Sequence, residues 1–106
     1  MIFFSFLKDQ LWKLEDNILK CKEGLWQSND DWYIENDKVE KTLVRVINRS
    51  RSKFLVVDGI HVKESDDEKV WEKGSQDNEG YFTLMDLSSQ KVLTAVGANS
   101  LEVKGM

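Results

Sequence analysis

Proline is absent from this 106-residue chain, and cysteine and histidine occur once each. A lone Cys21 cannot close an internal disulfide, so nothing asks for an oxidising compartment and a cytoplasmic location is the simpler expectation. One histidine with one cysteine also excludes a zinc site of the usual Cys and His spacing, and no cofactor is expected. Long apolar runs are missing too. The segment MIFFSFLKDQ offers about six apolar residues before Lys8, with no preceding positive charge, which is too short for a signal peptide or a membrane span. A surplus of positive charge is lacking: the net charge of −4 argues against a dedicated nucleic-acid binder, whose affinity comes from neutralising phosphates. The imbalance lies in the second half, since residues 1–53 carry ten basic and nine acidic groups and residues 54–106 five and ten. A phosphate loop is absent as well, because Gly74 to Gly80 enclose Ser-Gln-Asp-Asn-Glu, negative where a phosphate needs positive.

What remains is an ordinary globular composition, 41% hydrophobic and 32% charged with four tryptophans, at the size of one domain. No window sustains an apolar stripe at helical spacing; short alternating or β-branched runs dominate. About twelve strands are expected: Ile2–Phe6, Gln10–Leu14, Ile18–Lys22, Leu25–Gln27, Trp32–Glu35, Thr42–Ile47, Lys53–Val57, Ile60–Lys63, Lys69–Glu72, Tyr81–Met85, Lys91–Val96 and Ser100–Val103. Corners of Asn, Asp, Ser and Gly separate them.

The chain also repeats itself. A shift of 38 places lays Leu43–Asn48 over Tyr81–Asp86, Ser50 on Ser88, and Lys53-Phe54-Leu55 on Lys91-Val92-Leu93. A three-residue insertion in the later copy would then bring Ile60-His61-Val62 onto Leu101-Glu102-Val103, and Trp32 precedes Trp71 by 39 places. A period near 40 built of four short strands suits a β-trefoil; propeller blades share the period but need more copies than this length allows.

The Asp9-Gln10-Leu11-Trp12 run, read as a Q-x-W motif, and the strand–corner–strand units at 43–57 and 81–96 resemble the ricin B-chain-like β-trefoil lectin domain. The expected fold is therefore all-β: a trefoil with pseudo-repeats at about 15–36, 41–74 and 80–105 plus 10–14. In the permuted form Gln10–Leu14 closes the last repeat beside Ser100–Val103.

The resemblance implies a non-catalytic carbohydrate-binding module whose partner is a glycan or glycoprotein. In such lobes an acidic residue, an aromatic platform and amides near Q-x-W hold a sugar by its hydroxyls and its apolar ring face. The match is partial. Val56 and Thr94 stand where an acid is expected, and Trp32 and Trp71 keep the tryptophan without the glutamine, so they and Trp12 read as core. The remaining ligand-binding candidates are Asp9, Gln10 and Asn99, then Asp58 with His61, and Trp26 as a platform. Arg49, Arg51 and Lys53 form an alternative surface for an anionic ligand, projecting together from a hairpin corner. A trefoil that has lost sugar binding and recognises a protein is the competing expectation. Asn48-Arg49-Ser50 matches the N-glycosylation acceptor pattern, which matters only in a secreted chain.

Overall fold

Alternation between core-facing and outward side chains sets the strands. Ile18–Lys22 buries Leu19 and Cys21 and leaves its other residues half-buried; Leu43–Asn48 buries Val44 and Val46 around a half-buried Arg45. The computed structural model describes residues 11–24, 31–97 and 100–105. Among them run ten strands and no helix: β1 (Trp12–Glu15), β2 (Ile18–Lys22), β3 (Trp32–Asn36), β4 (Leu43–Asn48), β5 (Lys53–Asp58), β6 (His61–Ser65), β7 (Trp71–Gln76), β8 (Tyr81–Asp86), β9 (Val92–Val96) and β10 (Ser100–Lys104). The expected strands Ile2–Phe6 and Leu25–Gln27 lie outside the described residues. Among the described residues no helix is long and apolar enough to cross a membrane.

All pairings are antiparallel. Strands β2, β8, β7, β4, β5, β6, β10 and β9 are bonded in that order, and β9 returns to β2 through Ile18↔Thr94, so this ring closes on itself. Closure gives each strand of the ring two partners and so removes the ring's own bare edges. Strand β1 attaches to β2, and β3 attaches to β4.

The closing strand differs from the one expected. Asp16 and Asn17, with φ of 52° and 67°, make a tight two-residue hairpin that folds β1 directly onto β2. Residues 12–14 of the expected Gln10–Leu14 strand thus lie in β1, whose partner is β2 and not β10; β10 pairs with β9 and β6. It is β2 that lies against β8, with Cys21↔Phe82 and Lys22↔Tyr81, while the Asn17 carbonyl accepts the Ala95 N–H at 2.7 Å.

The 38-place repeat has a physical counterpart in hydrogen bonding. Val44 is paired with Trp71 and, 38 places on, Phe82 is paired with Cys21; Asn48 faces Trp32 as Asp86 faces Trp71. The turns leaving β4 and β8 are built alike. The carbonyls of Asn48 and Asp86 accept the N–H of Ser52 and Gln90, both at 2.8 Å, and those two residues take left-handed φ of 55° and 59°. The side-chain oxygens of Asn48 and Asp86 accept the N–H of Arg51 and Ser89 at 2.9 and 3.2 Å and the hydroxyls of Ser50 and Ser88 at 3.0 and 3.1 Å. Asn48 is 1% exposed, so the apparent glycosylation acceptor is a buried turn residue.

Further along, the hairpins correct the expected alignment. Leu55↔Glu64 and Asp58↔His61 in the first unit correspond to Leu93↔Val103 and Val96↔Ser100 in the second. His61 thus matches Ser100 and Val62 matches Leu101, which needs an insertion of one residue and not three. The register is fixed by burial: Val62 and Leu101 both reach the core, and a slip of one would turn them outward.

Three tryptophans, Trp12, Trp32 and Trp71, lie in a core shared with Leu19, Val44, Leu55, Phe82, Leu84, Leu93 and Val103. Trp71 is fully buried, and its indole N–H donates to the Leu55 carbonyl at 2.9 Å. Trp71→Ala is expected to destabilise the chain by about 3–5 kcal/mol in urea unfolding followed by circular dichroism, and a loss below about 1 kcal/mol would contradict its core placement.

Asp86 gives a pH-dependent expectation. Burial opposes its charge, but the Lys69 ammonium and the hydroxyls of Ser89 and Ser88 outweigh that and bring the carboxyl from 3.8 down to about 2. Because the folded value is depressed, this stabilisation is complete above the ordinary value and disappears as pH falls from about 3.8 towards 2. Asp86→Asn, which copies Asn48, should lower stability by about 2 kcal/mol at pH 7, and the gap to the parent should close as pH approaches 2.

Candidate functional site

Four of the residues singled out for ligand binding, Asp9, Gln10, Trp26 and Asn99, lie outside the described residues. Asp58 and His61 are brought opposite each other across the β5–β6 hairpin, yet each turns to a different partner. Lys63 Nζ donates to Asp58 Oδ2 at 3.2 Å, and His61 Nδ1 lies 3.5 Å from Glu102 Oε2 with the ring 73% exposed.

The basic corner is not a field of one sign. Arg51 grips Glu64 with two hydrogen bonds of 2.7 and 2.9 Å, and Lys53 donates to Asp66 at 2.8 Å. The Arg49 guanidinium stacks 4.4 Å over the Tyr33 ring. The pairing of β5 with β6 carries Glu64 and Asp66 to the corner, so the neutralising charges come from a segment 13 residues further along. Cys21 is fully buried, and burial pushes its thiol well above the ordinary value, which leaves it a packed, unreactive side chain.

A cleft forms where the β7–β8 ladder breaks. Pairing runs Trp71↔Asp86, Glu72↔Met85, Lys73↔Leu84 and resumes at Gln76↔Phe82, so Gly74 and Ser75 share the position opposite Thr83. Such a β-bulge bends its strand and interrupts the regular surface. Gly74 is required by contact, because a Cβ there would overlap the Thr83 hydroxyl. On the other flank of β8, Lys20 pairs with Thr83.

The resulting space is about 680 Å³. Ile18 and Met85 give it apolar lining, Thr83 and Ser75 give hydroxyls, and Glu15, Asp16, Lys20 and Lys73 give charge. Lys20 Nζ donates to Glu15 Oε1 at 2.7 Å and holds that carboxyl below the usual carboxylate range; Lys73 pairs with Glu23. Lys20 is the fixed member of its pair, at 16% exposure against 49% for Glu15. An ion pair at the mouth of a cleft offers an ammonium donor beside a carboxylate acceptor. Two neighbouring hydroxyls, each both donor and acceptor, match it without leaving a charge unpaired.

None of these cleft residues was singled out in the sequence. From the sequence Gly74 opens a polar corner after the expected strand Lys69–Glu72, whereas β7 runs from Trp71 through it to Gln76, where a glycine marks a bulge or close approach. No family model, curated protein or solved structure matches the chain.

Gly74→Ala should destabilise the fold by about 1–3 kcal/mol through overpacking, and Thr83→Ala in the same chain should recover most of that loss. Additive losses in the double variant would mean that the two residues do not compete for one space.

Proposed function

We propose that this chain is a non-catalytic carbohydrate-binding module built as a β-trefoil, with the Gly74–Thr83 cleft as its sugar site. The observation that carries the ligand class is the lining of that cleft: paired opposite charges and two hydroxyls beside Ile18 and Met85. A neutral sugar presents hydroxyls to such a rim and a C–H face to such a lining. The trefoil reading draws on the pairing order β1–β2–β8–β7–β4–β3, in which β4 and β8 hold equivalent places, and on the hairpins β5–β6 and β9–β10 that leave β4 and β8 and join at Glu102↔His61. A cytoplasmic location fits the single buried cysteine.

One observation favours a protein-binding scaffold as the second reading. Val39 is 92% exposed on a turn held by the Asp37 carboxylate, which accepts the N–H of Val39 and Glu40 at 3.2 and 2.8 Å. A rigid turn presenting an apolar tip lowers the entropy lost on docking.

A glycan array at low and at moderate salt separates these readings. Salt-resistant binding to neutral sugars is expected, weakened at least about tenfold by Lys20→Met. Loss on changing Asp9, Gln10 or Asn99 instead would move the site to the Q-x-W region. Binding only to sulfated glycans at low salt would point to Arg49, Arg51 and Lys53. A blank array from folded protein would sink the sugar reading and leave the Val39 turn as the surface to pursue.

A further inference from the structure

The cleft beside Gly74 has a counterpart in the other unit. Thr83 stands 38 places after Arg45, and the partner of Arg45 across the ladder is Glu35, where the bulge puts Gly74 and Ser75. The third wall also corresponds. Cys21 and Trp71 face equivalent residues of β8 and β4, which sets Ile18 in the place of Glu68. The second cleft is indeed lined by Glu35, Asn36, Arg45 and Glu68.

The same architectural position is therefore furnished in two ways. In the first unit Arg45 lies across it, 17% exposed, with Nε donating to Glu68 at 2.6 Å and a terminal nitrogen donating to Asp37 at 3.1 Å. Asp37 is itself fixed: its N–H donates to the Leu43 carbonyl at 3.0 Å, and the N–H groups of Glu40 and Val39 hold its carboxyl below the ordinary value. Arg45, Asp37 and Glu68 are thus engaged with one another, and the space left is about 430 Å³. In the second unit the long arginine is replaced by Thr83, Glu68 by Ile18 and Glu35 by the bulge, leaving about 680 Å³.

We propose that the chain has one working cleft of this kind, at Gly74 and Thr83, and that the equivalent cleft is occupied internally by Arg45, which acts as a resident ligand. Thr83 and Arg45 are then the specificity-determining pair: a short hydroxyl side chain admits a neutral polyhydroxylated ligand, and a guanidinium clamped by two carboxylates shuts it out. The ligand class rests on the carbohydrate reading; the contrast between the clefts does not.

The test uses 1,2-ethanediol, a neutral vicinal diol, titrated into ¹⁵N-labelled chain while amide shifts are followed. Saturable shifts are expected at Gly74, Ser75 and Thr83, with Glu35, Asn36 and Arg45 unmoved. Thr83→Arg should weaken the response at Gly74 and Ser75 at least about tenfold. Arg45→Thr combined with Glu35→Gly should create a second response around Asn36. Equal shifts at both clefts in the unaltered chain, or none at the Gly74 cleft, would overturn the proposal, and that comparison needs no variant to fold. A blank glycan array with a diol response confined to the Gly74 cleft would defeat the sugar reading and keep the single-cleft assignment. A sugar-positive array with equal diol responses would do the reverse.

Discussion

A polar side chain buried opposite a tryptophan must find its partners without water, and in this chain Asn48 and Asp86 find them in the turns that follow. Each side chain faces an indole across the ladder and receives the turn that follows, so strand end, turn and core are tied at one residue. A hydrocarbon there would lose the tie between strand end and turn. The difference between the two sites is charge: the carboxylate of Asp86 needs Lys69, whereas the amide of Asn48 is neutral. From these two anchors the hairpins β5–β6 and β9–β10 leave in matching directions and meet, and the remaining strands fill the ring between them.

Regularity also explains where a ligand can enter. A continuous ladder with alternating side chains presents a regular surface, and a break in it opens additional space. The break at Gly74 and Ser75 places two residues against one, and Gly74 keeps clear of the Thr83 hydroxyl. At the regular counterpart Glu35 pairs one-to-one with Arg45, whose guanidinium is held by Glu68 and Asp37. One extra residue in one strand thus distinguishes the roomier cleft from the one that Arg45 crosses.

Much of this was legible in the sequence, and the part that was not follows a physical pattern. The all-β character and the 38-place repeat appear because burial imposes alternation and because turn-forming residues recur in step with it, as at Ser50 and Ser88. Buried tryptophans were legible as well, since a ring that large at a repeated position is most simply core. Hairpin register was misjudged: matching Ile60-His61-Val62 to Leu101-Glu102-Val103 followed residue type, whereas cross-strand burial sets the true alignment at Val62 and Leu101. The partner of segment 10–14 was misassigned because the tight turn at Asp16 and Asn17 carries no glycine to announce it. The cleft was invisible for another reason. Glu15, Lys20, Gly74 and Thr83 belong to four strands or turns and form no motif, and the acids that neutralise Arg51 and Lys53 become neighbours only through pairing.

Ring closure through β2 has a bearing on the order of events during synthesis. The contacts of β4 with β5, β5 with β6, and β7 with β8 are local and can form while the chain is still emerging. Strand β2 is made early but finds its partners only in β8 and β9, with Ile18 waiting for Thr94 and Cys21 for Phe82. Until then its one described strand partner is β1. Until β8 and β9 are made, one edge of β2 therefore waits for its partners, so this segment is where a chaperone would meet the protein before its fold is complete.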